Sequence, residues 1–143
     1  MAEYVENAIQ TVETGQNVLL DASIPCTSGY VLHRVGSGIF TLRGIVNNPC
    51  GCFARYQVTF NGNIAIPAGG TVGEISLAIA QNGEPIQTSR ARTTPAAVDQ
   101  YFNVTSTAII TVPRGCCFDI AVENTSTQSI NVQNANLTVA RIA

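Results

Sequence analysis

The sequence predicts an all-β domain built as a sandwich or barrel. Three observations predict it: short apolar runs with period-two alternation, turn residues between them, and the lack of any long stretch with helical periodicity. The runs amount to roughly eight to ten short strands, the spacing expected of a sandwich or barrel.

Residues 2–12 fit a short helix and an extended arm equally well. Residues 1–16 are therefore read as an N-terminal arm or short helix, ahead of one domain at 17–143. Asn17 to Leu20, Tyr30 to Arg34 and Ile39 to Val46 are the first strand candidates. Cys52 to Phe60 alternates cleanly, with Ala54, Tyr56, Val58 and Phe60 on one side and Arg55, Gln57 and Thr59 on the other. Asn61-Gly62-Asn63 reads as a turn. Ile75, Leu77 and Ile79 alternate with Glu74, Ser76 and Ala78, and Asn82-Gly83 signals a tight hairpin that returns through Pro85 to Ser89. Arg92 to Ala97 reads as a loop. From Tyr101 the chain is rich in β-branched residues: Val104, Ala108, Ile110 and Val112 alternate with Thr105, Thr107, Ile109 and Thr111, broken only by Ser106. Pro113-Arg114-Gly115 ends that run. Phe118, Ile120 and Val122 alternate with Asp119 and Glu123, and Ile130 to Ile142 supplies one or two last strands.

A chain of 143 residues is long enough for one domain with a real core. Apolar residues make up 45% and charged residues 11%, against about 25% charged in ordinary soluble domains. All seven basic residues are arginines. So sparse a charge must be replaced by Ser, Thr, Asn and Gln on the surface, or be buried against a partner. The net charge is −2 with no basic stripe, which argues against nucleic-acid binding. No uninterrupted apolar run approaches the roughly 18 residues of a membrane span. The first residues, Met1-Ala2-Glu3-Tyr4-Val5-Glu6, lack the features of a signal peptide, so synthesis in the cytoplasm is expected. Without lysine, a P-loop for nucleotides is excluded.

The order of motifs resembles the C1q/TNF-like jelly roll. An aromatic-bearing strand from Phe53 to Phe60 leads to a hairpin reading Asn82-Gly83-Glu84-Pro85, and a β-branched strand closes on Val112-Pro113-Arg114-Gly115. The likeness spans residues 17–143. The segments Tyr30 to Arg34, Phe53 to Phe60 and Val112 to Cys117 are also similar to small proteins of gut Firmicutes and their prophages. These resemblances imply a homotrimer with a virion or surface role; no cofactor is assigned. The chain lacks a collagen-like stalk, and its 6% aromatic content is low for such a domain, so an aliphatic and polar trimer contact is expected.

In a jelly roll, one face of the inner sheet fills the sandwich and the other meets neighbouring subunits. Alternation assigns Phe53, Arg55, Gln57, Thr107, Ile109, Leu137, Val139 and Arg141 to the outer face, as the expected trimer interface. A register error of one residue would exchange the faces. Five cysteines are present, Cys26, Cys50, Cys52, Cys116 and Cys117. Cys50, Cys52, Cys116 and Cys117 are candidates for a disulfide or for zinc, set against reduced, partly buried thiols. Their spacing is not C-x2-C, and adjacent cysteines in a strand point to opposite faces, so no metal is assigned. His33 is the only histidine and is expected at a structural or interface position. No nucleophile motif of the G-x-S-x-G kind occurs, and no catalytic residues are assigned. Three glycosylation sequons begin at Asn103, Asn124 and Asn136, and no meaning is attached to them.

The expectation is thus a non-enzymatic structural or binding trimer. Its leading role is a phage or prophage virion component, a capsid decoration or head-fibre protein whose partner is a capsid or other virion protein. The alternative is a bacterial surface or secreted module that recognises a glycan or host ligand through Arg90–Ala97 or 47–51.

Overall fold

A computed structural model describes residues 2–20, 22–23, 31–33, 38–44 and 52–142. Their strands are β1 (Ala2–Glu6), β2 (Gln10–Val12), β3 (Ala22–Ser23), β4 (Val31–His33), β5 (Phe40–Arg43), β6 (Phe53–Ala65), β7 (Ile75–Gln81), β8 (Glu84–Pro85), β9 (Ala91–Thr93), β10 (Phe102–Pro113), β11 (Cys117–Asn124) and β12 (Ile130–Arg141). A 3-10 turn at Gln87–Ser89 interrupts the return from β8 to β9. No helix among the described residues is long and apolar enough to cross a membrane.

Two antiparallel sheets face each other. The first runs β10-β6-β12-β1-β3, with β2 also on β12; the second runs β4-β5-β11-β7-β8, with β9 also on β7. The strand alternation fills the space between them. Tyr56, Val58 and Phe60 of β6, Ile110 and Val112 of β10, and Leu77, Ile79, Ile120 and Val122 of the second sheet form one buried core. The Tyr56 hydroxyl donates to the Arg43 carbonyl at 2.6 Å, tying the first sheet to the end of β5. The hairpin forms where Asn82-Gly83 placed it. Both residues have positive φ, 51° and 86°, as a type I′ turn requires.

Three sequence expectations are corrected. Residues 2–6 are neither a free arm nor a helix, because β1 pairs along β12 from Ala2↔Val139 to Glu6↔Ala135 and buries Ala2 and Tyr4. The segment 61–63 is not a turn, and β6 runs straight through it. Gly62 faces inward beneath the Phe60 ring, where a Cβ would lie 3.0 Å from Phe60 Cζ, while Asn61 and Asn63 point outward. The third correction concerns Leu137 and Val139. Both are 1% exposed and belong to the core, not to the outer face. The cause is a bulge between Gln133 and Asn136, with Asn134 at φ 54°. Alternation running on from buried Ile130 and Val132 would point Leu137 and Val139 outward, and the extra residue reverses it.

Candidate functional site

The outer face of the first sheet is a set of rows running across the strands. Asn103, Asn63 and Gln133 align, as do Thr105, Asn61 and Asn136, then Thr107, Thr59 and Thr138, then Ile109, Gln57 and Ala140. The first rows are polar and tie to each other. Asn103 Nδ2 donates to Asn61 Oδ1 at 2.9 Å, and Asn136 Nδ2 donates to Glu3 Oε1 at 2.7 Å. Toward the other end the face turns apolar. Phe53 is 39% exposed and Ile109 52% exposed, and Ile142 is exposed beyond the end of β12. The Arg55 guanidinium lies over the Phe53 ring, 4.9 Å from its centroid.

Of the expected interface residues, Phe53, Arg55, Gln57, Thr107 and Ile109 therefore share this outer face. Half-buried at the end of β12, Arg141 pairs with core-facing Tyr56, on the same side of the strand as Leu137 and Val139, and is not on the outer face. Leu137 and Val139 are replaced there by their neighbours Asn136, Thr138 and Ala140.

Cys52, Cys116 and Cys117 are exposed free thiols. Cys50 and Cys26 lie outside the described residues, as do Asn47–Gly51 of the proposed recognition loops. Cys52 sits beside Arg114 on the first sheet, its carbonyl accepting from the Arg114 amide at 3.0 Å. Cys117 pairs with Arg43 on the second. No cluster of metal-ligating side chains occurs among the described residues.

His33 lies on β4, stacked on Phe40 with ring centroids 4.3 Å apart, and tilted against Tyr4 at 4.8 Å. It therefore bridges the second sheet to β1 of the first. Burial pushes the Tyr4 hydroxyl pKa up. Of the three sequons, Asn124 is closed to modification. It is fully buried, and its Nδ2 donates to the Val12 carbonyl at 2.9 Å and the Gln128 carbonyl at 3.0 Å.

The second sheet carries a feature that no local motif announces. Its outer face holds a pocket of about 250 Å³ between the β7–β8 hairpin on one side and Asn17 and Ile39 on the other. Ala80 and Ala121 form its floor, and Asn17, Ile39, Asn82 and Asp119 stand around it. These residues are far apart in sequence, and the sheet pairing alone brings them together.

An antiparallel two-sheet sandwich with this strand order defines a class, the jelly-roll domains. The chain has a C1q/TNF-like jelly-roll fold, and three solved structures show the likeness. The TNF protein Eiger from S. frugiperda superposes with a TM-score of 0.71 at 13% identity, over 99% of this chain and 91% of that one. Murine APRIL gives 0.65 at 10% identity, over 99% and 97%. The globular domain of zebrafish complement 1qA gives 0.61 at 13% identity, over 96% and 94%. No protein-family model and no curated protein matches the sequence.

Proposed function

We propose that the chain is a non-enzymatic structural or binding module that assembles as a homotrimer through the outer face of its first sheet. The observation that carries this reading is the exposed apolar end of that face. Phe53 and Ile109 are exposed two rows apart on that face, with Ile142 exposed beside Arg55, on a sparsely charged domain. Apolar groups gathered on one rigid face gain by leaving water, at roughly 25 cal/mol per Å² buried. The flat Thr, Asn and Gln rows beside them supply donors and acceptors for a second surface of the same kind. Low charge at the contact limits the desolvation that association must overcome. Three copies sharing this face place Arg55 near its equivalents, and the Phe53 ring beneath each guanidinium helps to accommodate that charge.

The biological setting that fits best is a virion, with the trimer decorating a capsid or forming a short head fibre. The sparsely charged, lysine-free composition supports it. The test of assembly is light scattering behind size exclusion at micromolar concentration. The wild type is expected at three times the chain mass, and Ile109→Glu at one chain mass with an unchanged β-sheet circular dichroism spectrum. A folded, monomeric wild type refutes the reading. Capsid and portal genes beside the coding sequence would support the virion setting, and adhesion or transport genes would replace it with a surface role.

A further inference from the structure

We propose that the pocket on the outer face of the second sheet is a binding site for a neutral pyranose ring, the terminal residue of a glycan or a free hexose. The proposal extends the binding-module part of the function above and does not depend on self-association, because the pocket and the assembly face lie on different sheets.

The floor is set by the register of β7 and β11. Ala80 pairs with Ala121 and Ala78 with Glu123, while Ile79, Ile120 and Val122 point into the core. A row of methyl side chains leaves the sheet surface low and smooth. The walls are fixed. On one side, the Asn82 amide donates to the Asp119 carbonyl at 2.7 Å, and the Asp119 amide donates to Asn82 Oδ1 at 2.9 Å. On the other side, Asn17 bridges to Glu123, and Gly38 packs so closely that a Cβ there would lie 2.8 Å from the Asn17 Cβ. Ile39 rises beside it, 47% exposed. The site is therefore formed before any ligand arrives.

The polar groups around it have capacity to spare. Asp119 Oδ1 accepts from the Thr41 hydroxyl at 2.8 Å, and the other carboxylate oxygen has no partner among the described residues. The Asn17 carboxamide is half-buried and makes no hydrogen bond among them. Among the described residues the Asn82 side chain spends only its oxygen, leaving both Nδ2 hydrogens. A carboxylate oxygen accepts, a carboxamide nitrogen donates, and a sugar hydroxyl does both. Asp119 with Asn17 and Asn82 thus matches a pair of adjacent hydroxyls. The Ile39 side chain and the alanine floor offer an apolar surface to the C–H face of the ring. A volume of about 250 Å³ suits one ring, since pockets for drug-sized ligands begin at about 300 Å³. Asp119, with Glu84 and Glu123 close by, disfavours an anionic sugar.

The test is a titration of the isotopically labelled full chain, followed by amide and methyl NMR. The probes are the methyl glycosides of glucose, galactose and mannose at millimolar concentration, with glucuronate and glycerol as controls. At least one neutral glycoside is expected to give saturable shifts at Asn17, Ile39, Asn82 and Asp119, with glucuronate weaker and glycerol non-saturating. A β-linked or α-linked disaccharide binding more tightly than its methyl glycoside identifies a glycan end as the ligand, and equal binding identifies the free hexose. Asn17→Ala removes a side chain with no hydrogen bond among the described residues, and Asp119→Asn keeps an acceptor for Thr41; each is expected to weaken binding tenfold or more. Ile109→Glu is expected to bind normally, which separates this site from the assembly proposal. Failure of all three glycosides to give saturable shifts at these residues overturns the inference. So does binding that survives both pocket variants, or that disappears when EDTA is added.

Discussion

Replacing Asn124 by leucine tests how this sandwich is clasped at the lower end of β11. The side chain is fully buried, and its three hydrogen bonds join separate parts of the fold. Nδ2 donates to Val12 on β2 of the first sheet and to Gln128 in the turn after β11, and Oδ1 accepts from the Ser126 amide at 2.9 Å. Leucine matches the volume and can make none of them. Each lost bond is worth about 1 kcal/mol net, and the stranded carbonyls and amide add desolvation, giving about 3–5 kcal/mol in all. At about 2–4 °C per kcal/mol for a domain near this size, the midpoint should fall by roughly 10 °C. Urea and thermal unfolding followed by circular dichroism, compared at equal chain concentration, measure it. Asn124→Asp adds a signature in pH. An aspartate facing two carbonyls in a buried site has its folded pKa raised, so folding takes up a proton. The variant is best tolerated below the ordinary aspartate pKa and loses stability as pH rises through the higher folded value. A loss under about 1 kcal/mol for Asn124→Leu, or a flat pH difference for Asn124→Asp, would refute the clasp.

Val139→Asp is expected to unfold the chain rather than dissociate it, because it places a carboxylate in the core. The loss of a buried valine, about 1.5–3 kcal/mol, adds to several kcal/mol of charge burial, and a folded variant by circular dichroism would contradict the assigned face. Burial, and then the nearby Glu84 carboxylate, raise the Glu123 pKa. The wild type should therefore gain stability as pH falls through that raised value, with the gain complete below the ordinary glutamate range. Glu123→Gln should remove this pH dependence and raise the thermal midpoint at neutral pH, and an unchanged profile would count against the pairing.

The parts of this structure legible in sequence are those written in local alternation. Ala54 to Phe60 and Val104 to Val112 reveal their buried faces because every second residue is apolar, Ser106 alone excepted. Asn82-Gly83 reveals its hairpin because few other dipeptides accept two positive φ angles. What escaped depends on tertiary context. Ala2–Glu6 carries two carboxylates in five residues and gains its strand only by pairing with β12. Gly62 looks like a turn residue until the Phe60 ring covers it. The bulge at Asn134 costs one residue of register and exchanges the faces of everything after it, so Leu137 and Val139 were misplaced by a feature with no strong local mark. On the candidate sites the same division holds. Phe53, Arg55, Gln57, Thr107 and Ile109 could be aligned from period two alone. The pocket could not, because Asn17, Ile39, Asn82 and Asp119 meet only through the pairing of β7 and β5 with β11 and the bridge from Asn17 to Glu123.

The central place of β12 bears on how the chain acquires its shape. Its partners on either edge, β1 and β6, come from the beginning and middle of the sequence, and Ala2 ends opposite Val139. Until residues 130–141 emerge from the ribosome, the two oil-faced strands flanking that gap have nothing to zip against. The nascent domain must hold both edges open until β12 is made, which favours slow maturation and exposes unfinished copies to premature sticking.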